Sequence, residues 1–211
     1  MAKKYFTICL NVEDQSCLLV GGTEEALEKS VRFLEAGARL TVVSPRLIPE
    51  LRALLKRYKA AFIKRKFRAS DVRGRFFVIN SVKTDQALSR SIYEACLKER
   101  CLISGYDQPQ WSNVTMPFLV RSGPLRVAIS TNAGSPGLAA TMGRELERNF
   151  EGELASFAEW VVAARARMVA QGAGPDERRA YFRALLKDFK MKAMFTYPPE
   201  YLKQKKGGRK P

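Results

Sequence analysis

The sequence predicts an α/β protein with a parallel, doubly wound sheet, and three observations predict it. Short apolar runs alternate with helical patterns over the first 105 residues, as in sheets whose parallel strands are joined by helices. Two glycines, Gly21 and Gly22, separate the first apolar run from the helical pattern that follows it. After residue 111 the alternation stops, and a pair of strand-like runs is followed by helical patterns.

The sheet region contains five predicted strands and three predicted helices. The first strand, "SCLLV", has the continuous apolar character of a buried strand, and the next segment has apolar residues at helical spacing until Gly37 ends it. Ser44 and Pro45 form a turn after the second strand. The predicted strands are 16–20, 39–43, 60–65, 75–80 and 101–105, and the predicted helices are 24–36, 47–57 and 84–98.

The second half of the chain has a different organisation. Two strand-like runs within 115–131 are divided by a turn at 122–124, which suits a hairpin or an arm exchanged with a second chain. Ser135 and Pro136 start a helix that runs to about Phe150, with serine as its cap. Two amphipathic helices, broken at Gly174, follow, and we expect their apolar stripes to pack as a core.

The chain therefore divides into four predicted regions. Residues 1–111 form the sheet domain, and residues 112–150 suit dimerisation because their two strands have no partner in the five-stranded sheet. Residues 151–195 form a small helical domain. Residues 196–211 form a basic tail that we expect to be disordered.

Composition limits the possible functions. The 211 residues include no histidine, so any acid–base chemistry near neutral pH must use other side chains. The net charge is +16, which favours polyanions as partners. The four cysteines are scattered and no apolar run is long enough to cross a membrane, which favours a cytoplasmic protein without a metal site. A nucleic-acid binder is one alternative, but no aromatic-interleaved RNA motif accompanies the charge.

The glycine pair predicts a dinucleotide-binding turn. Gly21 and Gly22 would let the chain turn tightly and approach a pyrophosphate, and Ala26 suits close packing of the helix on its strand, although Thr23 stands where a second spaced glycine is usual. Ser44 suits a ribose hydroxyl and Arg46 a 2′-phosphate, which leaves NAD and NADP open. The candidate cofactor-binding residues are Gly21, Gly22, Thr23, Glu24, Ser44, Pro45, Ser81 and Val82.

Three segments in unbroken order resemble one protein family. They are "CLLVGGTEEALEKSVRFLEAGARLTVVSP", "GYDQPQWSNVTMP" and "GPLRVAISTNAGSPGLAATMGRELE". Residues 5 to about 150 resemble the precorrin-2 dehydrogenase family, which also forms the amino-terminal part of bifunctional siroheme synthases. The resemblance implies a Rossmann-type domain, a dimerisation region and a small helical domain in an intertwined homodimer.

The resemblance also implies an activity. The family oxidises precorrin-2, a tetrapyrrole ringed by carboxylates, to sirohydrochlorin with NAD, and some members also insert ferrous iron, which the sequence leaves open. The basic charge suits such a substrate. Asp107 of "YDQP" matches the family's functional aspartate, and the family's serine-rich loop, which would bind substrate, matches Ser130, Thr131, Asn132 and Ser135.

The chain departs from the family pattern at two places near the cofactor. Thr23 replaces the third of three glycines, and "NSVKTD" places Val82 and Lys83 where the family commonly has threonine and an acidic residue. The alternative to a dehydrogenase is therefore a degenerate member that binds tetrapyrrole or nucleotide without catalysis.

Overall fold

The computed structural model describes residues 5–132, 134–150, 152–192 and 195–206, with the side chains of 203–206 left aside. The chain forms two compact units, Met1–Glu151 and Gly152–Pro211. The division falls within one residue of the boundary expected after residue 150. The region 112–150, which the sequence assigns to dimerisation, lies in the same compact unit as the sheet.

The predicted parallel sheet is confirmed in the first unit. Its strand order is β3-β2-β1-β4-β5, and every neighbouring pair is parallel. From β1 the chain first adds strands on one side (β2, β3) and then on the other (β4, β5), as in a Rossmann-type sheet. Sheets of this kind hold their ligands in the crevice at the switch point between β1 and β4. The strands are β1 (Ser16–Val20), β2 (Arg39–Val43), β3 (Ala61–Ile63), β4 (Phe77–Asn80) and β5 (Leu102–Gly105).

Helices cover both faces of this sheet. Because successive strand residues point to opposite faces, Leu19 packs with residues of α1 and α2, while Leu18 packs with residues of α3. Three of the four cysteines, Cys17, Cys96 and Cys101, are buried in these cores, whereas Cys9 is exposed. Burial raises the pKa of the Cys17 thiol to about 11. The helices are α1 (Glu24–Glu35), α2 (Pro49–Arg57) and α3 (Gln86–Lys98).

The carboxyl ends of the central strands lie level with one another. Val20 pairs with both Val43 and Asn80, and Asn80 pairs with Gly105. The loops that leave β1, β2, β4 and β5 therefore start from one row at one edge of the sheet. The four loops therefore border the edge at which sheets of this order hold their ligands.

The two later strand-like runs form a hairpin within the chain. Strands β6 (Phe118–Ser122) and β7 (Leu125–Ile129) pair antiparallel as a separate two-stranded sheet. Helix α4 (Pro136–Asn149) packs on β6 so closely that a methyl group at Gly143 would lie 2.1 Å from the Phe118 ring. Arg121 of β6 forms an ion pair with Glu35 of α1.

The second unit contains α5 (Glu153–Ala170), α6 (Pro175–Leu185) and α7 (Pro199–Lys206). Phe157 stacks on Phe189, yet within α5 and α6, which the structure describes completely, Ala164 alone is fully buried. The expected apolar core of these helices is therefore only half-buried, because two helices cannot enclose a core by themselves.

The described part of the predicted basic tail, residues 196–206, contains one short helix. The short helix α7 forms there, because Pro199 suits a first helical position, Glu200 suits the first turn and basic residues occupy the last turn. Residues 207–211 lie outside the described residues.

Candidate nucleotide-binding and active site

The glycine turn after β1 has the backbone that the sequence predicts. Gly21 has a φ of +131°, and its N–H donates to the carbonyl of Val43 at 3.1 Å. A methyl group at Gly22 would lie 2.0 Å from the carbonyl oxygen of Arg46, since the loop after β2 passes directly over it. Both positions therefore need glycine, the first for its conformation and the second for its close contact.

Thr23 precedes α1 but does not cap it. Among the described residues, the Thr23 side chain accepts no hydrogen bond from the first turn of α1. Its hydroxyl instead donates to a carboxylate oxygen of Glu25 at 2.7 Å. That hydrogen bond is the main reason why the pKa of Glu25 lies below its usual range, and a bond from the backbone N–H of Glu25 and the charge of Lys83 add to it. A charged carboxylate thus lies over the first turn of the helix.

The other candidate cofactor residues border this turn. The Ser81 hydroxyl donates to the carbonyl of Val20 at 3.0 Å, and the Ser44 hydroxyl donates to the carbonyl of Arg46 at 2.6 Å. These buried hydroxyls hold the neighbouring loops against the turn. Val82 is half-buried against the core, while Glu24 and Pro45 are exposed at the same edge.

A buried amide pair, absent from the sequence prediction, joins two of the loops. The Asn80 side chain donates to Ser89 at 2.9 Å and to Gln108 at 3.4 Å. The Gln108 amide in turn donates to the carbonyl of Lys83 at 3.0 Å. A buried polar network that is satisfied in this way is rigid, so it fixes the segments that flank Asp107.

Asp107 lies where the sequence predicts, in the turn after β5. It has a φ of +53°, a conformation that aspartate tolerates better than most residues. Its carboxylate is 62% exposed and lies 3.5 Å from the Lys83 ammonium, which also lies 5.6 Å from the centre of the Tyr106 ring. Asp107 is therefore open to a ligand and paired with a cation.

A cavity of about 470 Å³ lies beside Asp107. Asn80, Tyr106 and Pro136 contribute to its lining, so the amino-terminal end of α4 reaches it. Among the described residues of the serine-rich loop, Ser130, Thr131, Asn132 and Ser135 do not line it.

The serine-rich loop has its own hydrogen bonds. The Ser135 hydroxyl accepts from the N–H of Leu138 at 3.3 Å and caps α4, as the sequence predicts. The Thr131 hydroxyl accepts from the N–H of Ser135, and the Ser130 hydroxyl accepts from the N–H of Asn132, which has a φ of +52°. These bonds shape the loop next to Pro136.

The sequence did not predict Asn80 and Gln108 as site residues, whereas Lys83 was expected near the cofactor as a departure from the family pattern. The available signals were Asn80 at the end of an otherwise apolar strand and Gln108 directly before a proline.

Across the part of the chain that the structure describes, no group of three or more Cys, Asp and Glu side chains is placed to hold a metal ion. The same residues include no helix that is long and apolar enough to cross a membrane.

Comparison with known proteins assigns the family. Residues 8–118 match the family described as "Putative NAD(P)-binding". The chain belongs to this family. The match spans the sheet and the edge that carries Gly21, Ser81 and Asp107, so the predicted nucleotide-binding fold is confirmed.

Curated relatives extend the comparison to the helical unit. This member of the NAD(P)-binding family is 34% identical to the siroheme synthase of Thioalkalivibrio sulfidiphilus and 32% identical to siroheme synthase 1 of Aeromonas salmonicida, each over 86% of this chain. It spans 37% and 39% of the lengths of those relatives. The resemblance stated from the sequence is confirmed.

A solved structure described as SirC, a precorrin-2 dehydrogenase, has the same fold. The TM-score is 0.77 at 22% identity, over 87% of this chain and 90% of that one. The likeness supports the Rossmann-type fold with its additional small sheet and helices.

The residues at the sheet edge fit a dinucleotide. Pyrophosphate binds well at the backbone N–H groups of a helix start, and the Thr23 side chain does not cap those of α1, although the Glu25 carboxylate accepts the N–H of Glu25. The glycine turn brings the backbone close, and Ser44 lies at the end of β2 where a ribose is held in such folds. The Glu25 carboxylate and the exposed Glu24, both in the first turn of α1, oppose an anion here.

Proposed function

We propose that this chain is an NAD-dependent precorrin-2 dehydrogenase that forms sirohydrochlorin in siroheme biosynthesis in the cytoplasm. The observation that carries the proposal is Asp107, exposed beside a cavity at the same sheet edge as the nucleotide turn of an NAD(P)-binding family member. The names of the curated relatives and the fold shared with SirC support the same substrate.

The reaction removes a hydride and a proton from the tetrapyrrole. NAD, when bound at the glycine turn, would supply the hydride acceptor. Asp107 is the base in this proposal: its carboxylate is accessible, and no histidine is present in the chain. Lys83 holds that carboxylate through its ion pair, while the Asn80–Gln108 pair fixes the loops on which Lys83 and Asp107 lie.

The substrate-binding role of the serine-rich loop belongs to the same proposal. Ser130, Thr131, Asn132 and Ser135 lie between β7 and α4, next to Pro136 at the cavity. The loop would bind the substrate edge that projects from the cavity, because its hydroxyl and amide groups are partly exposed.

A homodimer is also part of the proposal. The hairpin β6–β7 has two strands, and each leaves an outer edge that is unpaired within the described residues. Such edges favour pairing with another chain. A dimer in light scattering at micromolar concentration is expected, and a monomer would contradict this part of the proposal.

The deciding experiment measures conversion of precorrin-2. Purified protein is mixed with precorrin-2 and NAD⁺, and sirohydrochlorin is followed by its absorbance, with and without ferrous ion to test iron insertion. The degenerate alternative predicts nucleotide or tetrapyrrole binding without conversion.

Asp107→Asn tests the base. We expect turnover to fall about 100- to 10,000-fold with NAD affinity little changed, because asparagine keeps the shape and cannot take the proton. Asp14→Asn is the matched control: Asp14 also occupies a turn with positive φ, but precedes β1 at the opposite end of the strand. An Asp107→Asn protein with the parental rate would remove Asp107 from the mechanism.

A further inference from the structure

The cavity beside Asp107 reaches two residues that neither the nucleotide turn nor the proposed proton transfer uses. Tyr5 comes from the segment before β1, and Lys29 comes from the second turn of α1. Both line the cavity that Asp107 lines. A ligand that fills the cavity and reaches Asp107 can therefore also reach Tyr5 and Lys29.

Tyr5 presents a hydrogen-bonding group without a partner. Its hydroxyl oxygen is buried, and none of the described residues forms a hydrogen bond with it. Burial raises the pKa of Tyr5 above its usual value, and the nearby Tyr93 adds to the increase, so the hydroxyl keeps its proton at neutral pH. A buried donor without an acceptor is unfavourable, and an acceptor on a ligand would relieve that cost.

Lys29 contributes a positive charge that is only partly neutralised. Its side chain is 14% exposed, which is low for an ammonium group. Its nitrogen lies 3.1 Å from one carboxylate oxygen of Glu28, and Arg32 lies 2.9 Å from that same oxygen. Two cations thus share one carboxylate, and that carboxylate belongs to a half-exposed side chain.

We propose that Lys29 and Tyr5, which line the same cavity as Asp107, form a carboxylate-binding subsite for a peripheral carboxylate of the tetrapyrrole. This inference rests on the proposed function. A carboxylate there would accept a hydrogen bond from the Tyr5 hydroxyl and a charge-assisted bond from Lys29. It would also neutralise the second cation of the Lys29–Arg32 pair. The subsite would orient the macrocycle relative to Asp107.

The test measures binding of sirohydrochlorin, the proposed product, to the whole chain by absorbance titration. Lys29→Met should weaken binding about 10- to 100-fold and Tyr5→Phe about 10-fold, because each removes one bond to a charged group. Lys29→Arg, which keeps the charge, should recover most of the affinity. Lys56→Met, an exposed lysine of α2, is the matched control and should bind as the parent does.

Two further readouts separate binding from folding. NAD⁺ affinity should be unchanged in Tyr5→Phe and Lys29→Met. The Tm of the ligand-free protein should change little, since the Tyr5 hydroxyl has no partner among the described residues and Glu28 keeps its ion pair with Arg32 when Lys29 is removed. Sodium acetate at the concentration of sirohydrochlorin should not compete, whereas effective competition would assign the subsite to small free carboxylates.

The outcomes distinguish the two proposals. Parental affinity for sirohydrochlorin in both Tyr5→Phe and Lys29→Met would overturn the subsite and leave the proposed function standing. A parent protein that does not bind sirohydrochlorin would overturn the proposed function, and this subsite with it.

Discussion

Glu25 offers the sharpest test of how this chain binds its nucleotide. Its carboxylate accepts the Thr23 hydroxyl and lies over the first turn of α1, where a pyrophosphate would take up the backbone N–H groups. Because the pKa of Glu25 is lowered, first of all by the bond from Thr23, the carboxylate is charged at any neutral pH. Glu25→Gln keeps the length of the side chain and removes this charge. We expect it to tighten NAD binding.

The magnitude follows from the repulsion that the substitution removes. Two like charges about 6 Å apart repel by about 0.7 kcal/mol at the dielectric constant of water and by about 3 kcal/mol at an effective value of 20. Glu25 is half-exposed, so the true repulsion lies between these limits. A decrease of about 0.7–3 kcal/mol corresponds to a Kd that is about 3- to 150-fold lower. The gain should shrink as salt is added, because added ions screen the repulsion.

The assay is a titration with NADH followed by fluorescence at two salt concentrations. Glu99→Gln removes an equal charge at the end of α3, before β5 at the opposite edge of the sheet, and serves as the control, for which we expect parental affinity. Weaker binding in Glu25→Gln would refute the reasoning and would show that Glu25 contacts the nucleotide directly. Thr23→Gly, which removes only the anchor of the carboxylate, should give a smaller gain than Glu25→Gln.

Two further substitutions test the frame around the site. Gly22→Ala should lower the NAD affinity, and it should lower the Tm by several degrees, because the added methyl group would collide with the carbonyl of Arg46. Gly137→Ala is the control, since the described residues leave open space around Gly137. Asp71→Asn should lower the free energy of unfolding by about 2 kcal/mol, or about 4–8 °C in Tm, because Asp71 accepts two bonds from Arg65. These bonds hold the pKa of Asp71 below its usual range. The stabilisation by Asp71 should therefore be present above about pH 4 and disappear as the pH falls through the lowered pKa of Asp71. An Asp71→Asn protein that is as stable as the parent at pH 7 would contradict this prediction.

The sheet could be predicted because its signals are local. The buried strands are mostly apolar runs, and the helix after β1 begins one residue after the two glycines. Strand β1 was therefore predicted at its observed bounds and α1 within one residue of them. Strand β3 was predicted at 60–65 but covers only Ala61–Ile63, since a strand at the sheet edge has one neighbour to define its length. The helix α7 was missed because its basic composition resembles that of a disordered tail.

The site was less predictable because its contacts join distant parts of the chain. Positions could be predicted: Asp107 does follow β5, and Gly21 does adopt a positive φ. Partners could not be predicted, because the Asn80–Gln108 and Lys83–Asp107 pairs depend on how two loops face each other once β4 and β5 are aligned. Nor does the sequence show that the Thr23 hydroxyl bonds to Glu25 and leaves α1 uncapped.

The strand order has a consequence for how the folded protein would respond to its nucleotide. Strand β1 joins β2 through a short helical connection, but β4 reaches it from far along the chain, and the Ser81 hydroxyl meets the carbonyl of Val20 across 61 residues of sequence. Central strands such as β1 and β4 exchange their amide hydrogens only through openings that approach global unfolding, and a ligand that binds the folded state raises the free energy of such openings. The nucleotide crevice lies across the boundary between β1 and β4, so a bound dinucleotide would contact both halves of the sheet and stabilise their pairing. Amide hydrogens along β4 should then exchange more slowly with solvent when the nucleotide is present, even where they lie far from it.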